Sequence, residues 1–431
     1  MTAGQRAAAE SLLFVNARQV VTCAGPARAR RGSEMSEAGI NEQTAVLVTG
    51  ETIAALGAER ELIAAHRQAA VVDCRGGVLT PGFVDSHTHA IFGRPRFEEQ
   101  ELRAAGVGYM EIAKRGGGIH ASVRDLRALS EDDLVALAAP RLRRLAASGV
   151  TTVEVKSGYG LTLADELKAL RAIRRLSSEL PLRLVPTFLG AHEIPLEHRE
   201  SASRREEYIA LVIGEMIPRV AAERLARFAD VFCEPGVYTV DESRRILQAA
   251  RDHGLLLKLH ADELEAGGGA ELAAEIGATS ADHLAAISER GVAALARAGT
   301  VATLLPATMI FLGRKRQAPA RALVGAGAAV ALATDFNPGT SPTLNFPLLL
   351  TLGVSQLHLS VAESLIAATV NGAAALALAG ETGQIAPGFS ADLALHAVDD
   401  VRELPYWFGD RRCVGSWIRG KACHPYDLPV S

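Results

Sequence analysis

Short apolar segments alternate with helical patterns through the centre of the chain. Eight of these segments, often rich in β-branched residues, end in glycine or polar residues, at 77–89, 150–157, 182–192, 228–236, 255–263, 279–284, 300–307 and 328–337. Helical patterns such as those at 166–176 and 241–251 separate most of them. Strands that alternate with helices indicate parallel β-α-β units. Eight units in succession favour an α/β fold with a closed (β/α)8 barrel of the TIM type over an open sheet.

The two ends of the chain show a different pattern, in which short strands follow one another. Candidate strands lie at 12–17, 45–48, 70–74, 391–397 and 413–419. Residues 25–41 are rich in Gly, Ala, Arg and Ser and predict a long surface loop. We therefore predict that residues 1–79 and 385–431 together form a small β-sandwich domain, which the barrel at 80–384 interrupts.

The composition is that of an ordinary globular protein. Of the 431 residues, 48% are hydrophobic and 22% are charged, so the chain can bury a large core. The formal net charge of −4 gives no reason to expect nucleic acid or an anionic membrane as a partner.

Cysteine usage favours a reducing compartment. The five cysteines are scattered, odd in number and without CxxC spacing. The N-terminus lacks the basic-then-apolar pattern of a signal peptide. The longest apolar segment, around 326–333, is too short to span a bilayer. We expect a cytoplasmic protein.

The first apolar segment of the predicted barrel ends in the sequence DSHTH at 85–89. Residues i and i+2 of a strand point the same way, so His87 and His89 can offer two imidazoles to one ion. Neutral imidazole suits zinc, iron or nickel. The spacing alone also allows an ordinary pair of polar residues at a strand end.

Three further polar residues end other strands of the predicted barrel. His260 follows the apolar sequence LLLKL, His283 ends SADH, and Asp335 follows VALAT. Each alone is equally compatible with a core histidine or a helix cap. A barrel brings the carboxyl ends of its strands together around one axis, so these side chains are expected to converge with His87 and His89.

The sequence PGFVDSHTH at 81–89, together with His260, His283 and Asp335, resembles the metal-site pattern of the amidohydrolase superfamily. The segment GQIAPGFSADL at 383–393 resembles the return of that superfamily into its small sheet domain. The resemblance covers nearly the whole chain. It implies that metal is held by His87, His89, His260 and Asp335, with His283 assisting.

Many members of the superfamily hold two metals bridged by a modified lysine on the fourth strand. Here that segment contains Cys233 and Glu234 and no lysine. Lys156 lies on the second strand, and we expect Lys258 to point away from His260. One zinc or iron ion per subunit is therefore predicted. The resemblance also implies a homodimer.

Five motifs resemble one branch of the superfamily. They are HAIFGRPR at 89–96, KSGYGL at 156–161, LGAHE at 189–193, HADE at 260–263 and TDFNPG at 334–339. This resemblance implies a small-molecule substrate, 4-imidazolone-5-propanoate, whose ring amide is hydrolysed to N-formimidoyl-L-glutamate during histidine breakdown.

The same resemblance implies catalytic roles for three residues. Asp335 can accept the proton of the attacking water, and Glu263 can transfer a proton between water and the leaving nitrogen. His283 would orient the nucleophile or polarise the carbonyl. For Glu263 and His283, a role in supporting the metal ligands stays open.

Substrate contacts are implied for Arg96, Tyr159, His192, Glu263, Asn337, Gly339 and Thr340. Arg96 can hold the propionate through two parallel hydrogen bonds, although without the motif it would be taken for a surface arginine. His192 ends the third strand and can bind the ring or the carboxylate. Thr340 replaces a serine found in some members of the branch and keeps the hydroxyl.

Two other functions stay open at this point. A deaminase of a nucleobase-like ring would use the same metal ligands but attack an amidine carbon and release ammonia. A non-catalytic binding or scaffold protein on this barrel is the alternative from another class. Such proteins usually lose metal ligands, whereas this chain retains the full set.

Overall fold

The computed structural model describes residues 11–107, 111 and 116–424. Its centre is a nearly closed barrel of eight parallel strands, which confirms the predicted fold class. In chain order, these first to eighth barrel strands are Phe83–Asp85, Val150–Lys156, Arg183–Ala191, Phe228–Cys233, Leu256–Ala261, Ser280–His283, Val301–Leu304 and Val330–Leu332. Each strand pairs with the next one along the chain, so their carboxyl ends share one mouth.

Helices connect the barrel strands along the chain. Among the described residues they are Phe97–Ala104, Ile119–Ala128, Glu131–Ala146, Leu163–Glu179, Ala202–Leu211, Ile217–Ala222, Val240–Asp252, Gly269–Glu275, Glu289–Ala298, Pro306–Phe311, Ala320–Gly325, Phe346–Ser355, Val361–Ala368 and Val370–Ala375. Their starts follow from local chemistry. For example, the side chains of Thr162 and Thr239 each accept a hydrogen bond from the backbone three residues later. Both helical patterns noted in the sequence are confirmed as helices.

The barrel closes between its first and eighth strands at the mouth. Within the described part of the chain these two strands form no ladder with each other, and the segments that follow them share an isolated bridge between Thr88 and Phe336. The N–H of His89 donates to the carbonyl of Phe336 at 2.9 Å, and the N–H of Asp335 donates to the carbonyl of His87 at 3.0 Å. The buried carboxylate of Asp85 accepts from the N–H and the hydroxyl of Thr334 at 3.0 and 2.6 Å. Three candidate metal ligands therefore lie on the segments that close the barrel.

Both chain ends contribute to two small sheets. The four-stranded sheet contains Thr52–Ala58, Thr44–Thr49, Ser11–Val15 and Ala70–Asp73, in that order. The six-stranded sheet contains Lys421–His424, Cys413–Ile418, Leu393–His396, Val78–Pro81, Gln19–Val21 and Ile40–Asn41. The sheets share an apolar core in which the rings of Phe14 and Trp417 meet edge to face, with centroids 4.9 Å apart. This arrangement agrees with the predicted sandwich. The domain boundaries stay a prediction, and their outer parts, 1–10 and 425–431, lie outside the described residues.

The predicted surface loop at 25–41 is wrong in its middle part. Met35 is fully buried and Arg30 is 3% exposed. The N–H of Arg30 donates to the side chain of Asn371 at 2.7 Å, and the guanidinium of Arg31 donates to the carbonyl of Gly327 at 3.0 Å. The segment is therefore packed against the amino end of the barrel. Its polar composition concealed this because the arginines are satisfied by backbone carbonyls and side-chain partners.

The described residues include no helix that combines the length and the apolar character needed to cross a membrane.

Replacing Thr334 with valine should weaken the closure of the barrel. The hydroxyl of Thr334 donates to Asp85 and accepts from the N–H of Phe336. Its loss therefore leaves two buried polar groups without this hydrogen-bond partner. We expect the free energy of unfolding of the metal-free protein to fall by about 1–3 kcal/mol. Urea-induced unfolding measures the change. Thr334→Ser keeps the hydroxyl and serves as the control, and an equal loss of stability in both variants would show that the hydrogen bonds of the hydroxyl do not explain the effect.

Candidate metal centre and active site

Four predicted metal ligands meet at the mouth of the barrel. Asp335 Oδ1 lies 3.6 Å from His87 Nε2 and 3.5 Å from His89 Nε2, and the Nε2 atoms of His89 and His260 are 3.4 Å apart. All four residues are at most 3% exposed. The strand alternation that suggested a shared direction for His87 and His89 holds, although both residues lie beyond the end of the first barrel strand.

The spacing of these atoms fits a first-row metal ion. An ion bound tetrahedrally with bonds of about 2.1 Å keeps its ligand atoms roughly 3.4 Å apart. Buried His87 Nε2 has no hydrogen-bond partner among the described residues, which is costly unless something binds it. Three imidazoles and one carboxylate form a donor set that suits zinc or iron. A ring nitrogen of His283 also lies within 4.8 Å of ring nitrogens of His87 and His260.

Two carboxylates behind the histidines orient their rings. His87 Nδ1 lies 2.7 Å from Asp282 Oδ2, so the proton belongs on Nδ1 and the lone pair on Nε2. Asp230 Oδ2 lies 2.9 Å from His260 Nδ1, and Asp230 Oδ1 accepts from the backbone N–H of His260 at 3.1 Å. The ring contact is short but lacks full hydrogen-bond alignment. Sequence reasoning missed both aspartates; charged residues inside the apolar segments at 228–236 and 279–284 were the available signal.

The expectation for Lys258 is wrong. Residues 258 and 260 are two apart in a strand and share its inner face. Lys258 Nζ lies inside the barrel, 2.8 Å from the carbonyl of Ser86 and 3.2 Å from Glu154 Oε2. Lys156 is also fully buried, 2.9 Å from the same oxygen of Glu154. The carboxylates of Glu154 and Asp282 lie close enough to His87 to form a second possible metal cluster. The ammonium groups of Lys156 and Lys258 contact both carboxylates.

Burial sets the charge state of the candidate ligands. It lowers the pKa values of His87 and His89 well below the usual range, and the ammonium group of Lys156 adds to this effect at His87. The rings are therefore neutral at pH 7, as metal binding requires. Burial raises the pKa of Asp335 to about 6, against the hydrogen bond from Thr308.

Glu263 and His283 lie beside this cluster. His283 Nδ1 is 3.6 Å from Glu263 Oε2. Burial, followed by the charge of Asp335, raises the pKa of Glu263 well above its usual value. The backbone N–H of Glu263 donates to Glu234 at 3.0 Å, and the next two N–H groups donate to the same carboxylate. Glu234, predicted to lie on the fourth strand, thus fixes the turn that carries Glu263.

The backbone is strained around the cluster. His283, Leu284, Asp262 and Asp335 have positive φ values of 78°, 63°, 50° and 52°, a region that is unfavourable for residues with a side chain. Each position is held by its surroundings; the N–H of Leu284, for example, donates to the carbonyl of Ala261 at 3.0 Å. Strain of this kind is typical of active sites, where the neighbouring structure fixes a side-chain direction.

A cavity of about 840 Å³ opens above the cluster. Among the predicted residues, its lining includes His89, Arg96, Tyr159, His192, His260, Glu263, His283, Asp335, Asn337 and Thr340. In the described part of the chain, His87 and Gly339 are predicted site residues that do not line the cavity. Sequence reasoning missed other lining residues, including Phe232, Arg205 and Arg314. A volume of this size accommodates a small polar molecule with room for water.

Arg96 is buried yet incompletely paired. Its side chain is 7% exposed, and its Nε and Nη1 atoms have no hydrogen-bond partner among the described residues. The closest carboxylate oxygen, Glu99 Oε1, is 3.5 Å from Nε. A Cβ atom at Gly339 would overlap the guanidinium, so only glycine leaves room for Arg96 in this position. The guanidinium is available to bind an anion in the cavity.

Aromatic rings form another wall of the cavity. The ring of His192 stacks on that of His89, with centroids 5.0 Å and planes 17° apart, and its centroid lies 5.3 Å from that of Tyr159. His192 Nδ1 is 3.0 Å from the carbonyl of Gly158, which directs its proton there and leaves Nε2 as an acceptor. This wall can contact a planar ring.

Asn337 holds the loop that follows Asp335. Its side-chain oxygen accepts from the N–H groups of Gly339 and Thr340 at 2.8 and 2.7 Å. Its nitrogen donates to the carbonyl of Asp335 at 2.7 Å. The amide therefore links the candidate ligand Asp335 to the glycine that makes room for Arg96.

Comparison with known proteins identifies close relatives. The model of the amidohydrolase family matches residues 78–423. The imidazolonepropionase of Symbiobacterium thermophilum is 48% identical over 402 residues, which covers 92% of this chain and 93% of the relative. That of Solibacter usitatus is 44% identical over 412 residues, covering 95% and 98%. The crystal structure of an adenosine deaminase from Xanthomonas campestris with bound zinc superposes with a TM-score of 0.68 at 19% identity. The match covers 97% of this chain and 94% of the deaminase, and it shows a shared fold alone.

Replacing Asp282 with asparagine should weaken metal binding. The neutral amide no longer fixes the proton on His87 Nδ1 by charge, so we expect a loss of affinity of about 10–100-fold. Competition with a chromophoric chelator measures the affinity. Ser280→Ala is the matched control, because Ser280 contacts only the other oxygen of Asp282, at 2.7 Å. Unchanged affinity in Asp282→Asn would show that this carboxylate does not orient the ligand.

Proposed function

The chain belongs to the amidohydrolase family, and within it to the imidazolonepropionases, and we propose that it hydrolyses the ring amide of 4-imidazolone-5-propanoate to N-formimidoyl-L-glutamate. One observation carries the proposal: a cluster of three imidazoles and a carboxylate lies at the floor of a cavity that also contains a buried, incompletely paired arginine. Such a cavity can hold a metal ion next to the amide carbonyl of a substrate and offers a cation to the carboxylate of that substrate.

His87, His89, His260 and Asp335 would hold a single zinc or iron ion. When bound, this ion supplies the Lewis acidity that makes water a nucleophile at neutral pH. The buried lysines support a single ion, because Lys156 and Lys258 contact the carboxylates of the adjacent acidic cluster. A second cation at those carboxylates would meet two positive charges.

Arg96 would bind the propionate and so orient the ring. A planar guanidinium can pair with a carboxylate through two parallel hydrogen bonds. Two nitrogens of Arg96, Nε and Nη1, lack a hydrogen-bond partner among the described residues, and either can take part in such a pair together with Nη2. Tyr159 and His192 would contact the ring from the side. Thr340 and Gly339 would complete the carboxylate end, with Asn337 holding their loop.

Proton transfer would involve Glu263, Asp335 and His283. The oxygen of water bonds to the ring carbonyl carbon, the amide C–N bond breaks, and the ring nitrogen gains a proton. Asp335 accepts a proton from the attacking water, and Glu263 delivers one to the departing nitrogen. His283 is neutral because burial lowers its pKa, so its ring can donate a hydrogen bond to the carbonyl oxygen.

The proposal includes a homodimer in the cytoplasm. The homodimer rests on the resemblance of the motifs, and the cytoplasmic location rests on the scattered cysteines, which form no disulfide in the described residues. The substrate is a small molecule. Nucleic acid and membrane have no place in the proposed reaction.

The decisive test follows the ultraviolet absorption of the imidazolone ring in wild type, His260→Ala and Glu263→Gln. We expect the wild type to consume the substrate and both variants to lose nearly all turnover while remaining folded. Glu263→Gln should retain its metal, because Glu263 is not among the four proposed ligands, whereas His260→Ala should lose most of it. Ammonia release from a purine or pyrimidine, without turnover of the imidazolone, would establish the deaminase alternative instead. Full activity in either variant would remove that residue from the mechanism.

Substitution of Gly339 by alanine should weaken substrate binding specifically. The added methyl group overlaps the guanidinium of Arg96 and displaces it. We expect KM to rise by about tenfold or more, equivalent to roughly 1.4 kcal/mol, with a smaller change in kcat. Gly325→Ala is the matched control, since no described atom lies within 4 Å of a Cβ there. A wild-type KM for Gly339→Ala would argue against Arg96 as the carboxylate ligand.

A further inference from the structure

Five charged side chains form a buried layer beneath the candidate metal ligands. Each of the five side chains is 0% exposed. They come from the second, fourth, fifth and sixth barrel strands and are Glu154, Lys156, Asp230, Lys258 and Asp282. We refer to them as the charged layer. An isolated charge cannot persist in such surroundings, so the members of the layer depend on one another.

Lys156 contacts the carboxylates of three other residues at once. Its Nζ atom lies 2.7 Å from Asp230 Oδ2, 2.9 Å from Glu154 Oε2 and 3.7 Å from Asp282 Oδ2. An ammonium group has three donors and no acceptor. Asp230 and Glu154 lie within hydrogen-bond distance of it, and Asp282 is close enough for charge attraction. Among the described residues, Lys258 forms ion pairs with Glu154 and Asp282 but not with Asp230.

The oxygens that face Lys156 are the same ones that face the histidines. Asp230 Oδ2 is 2.9 Å from His260 Nδ1, and Asp282 Oδ2 is 2.7 Å from His87 Nδ1. The ammonium group of Lys156 therefore contacts both carboxylates that orient the rings of His260 and His87. Those rings come from opposite sides of the mouth, after the first barrel strand and in the fifth.

We propose that Lys156 is a positioning residue that, by linking Asp230 and Asp282, holds the rings of His260 and His87 with Nε2 aimed at one metal ion. This inference rests on the proposed metal centre and extends it. Without the ammonium group, two buried carboxylates on neighbouring sites would repel each other and move apart. The imidazoles that contact these carboxylates would then no longer point their Nε2 atoms at the same position.

The variant Lys156→Met removes the charge and keeps a long unbranched side chain. We expect the affinity for Zn²⁺, measured against a chromophoric chelator, to fall by about 10–100-fold, the range found when partners of metal ligands are lost. The visible spectrum of the Co²⁺-substituted protein should change in shape, because the ligand directions change. A purely structural role would lower thermal stability but leave the spectrum of the bound Co²⁺ as in wild type.

The double variant Lys156→Met/Asp230→Asn separates stability from positioning. It removes an anion together with the cation, so we expect the unfolding midpoint to recover towards wild type. The Zn²⁺ affinity should stay low, because in the double variant His260 has no ionised carboxylate at Nδ1. Recovery of both quantities together would overturn the proposal.

Arg183→Met is the matched control for loss of a largely buried cation. Arg183 begins the third barrel strand, and its guanidinium pairs with the buried carboxylate of Asp392 at 3.2 Å, away from the metal ligands. We expect lower stability with unchanged Zn²⁺ affinity. If wild type binds no Zn²⁺, the proposed metal centre itself fails. If wild type binds one ion and Lys156→Met binds it equally well with the same Co²⁺ spectrum, only the role of Lys156 is refuted.

Discussion

The direction of two imidazole rings is the constraint on which the site depends. His87 and His260 can offer Nε2 to a cation only while Nδ1 carries the proton, and the carboxylates of Asp282 and Asp230 favour that arrangement. These carboxylates are fully buried, so they need compensating charge close by. The two lysines inside the barrel supply it. Metal ligands, their orienting carboxylates and the buried cations thus form one connected assembly.

The barrel places this assembly where its own closure is least regular. The segments that follow its first and eighth strands meet through a few backbone contacts at the mouth. One of these contacts is the hydrogen bond from the N–H of Asp335 to the carbonyl of His87. The carboxylate of Asp85 reinforces the junction from below, through Thr334. Ligand geometry and barrel closure therefore support each other. The positive φ value of Asp335 is tolerated at this junction because the adjacent backbone is held on both sides.

Much of the fold and the candidate ligands could be predicted from sequence, because both follow from local periodicity. Alternating apolar segments indicated the barrel, and polar residues at strand ends indicated the mouth. The charged layer could not be predicted in this way, because its contacts depend on register between neighbouring strands: His260 pairs with Asp282, for instance, although they are far apart in sequence. The expected direction of Lys258 was wrong because residues 258 and 260, two apart in one strand, share the same face. The buried segment around Met35 was hidden by arginines whose partners are backbone carbonyls.

Anomalous diffraction from crystals of the metal-loaded protein tests the central claim most directly. Data collected at the absorption edge of the bound metal should show one strong peak per chain, in contact with Nε2 of His87, His89 and His260 and with the carboxylate of Asp335. Coordination through Nδ1 of either His87 or His260 would contradict the account. So would a second peak beside Glu154 and Asp282, since the lysine ammonium groups contact those carboxylates.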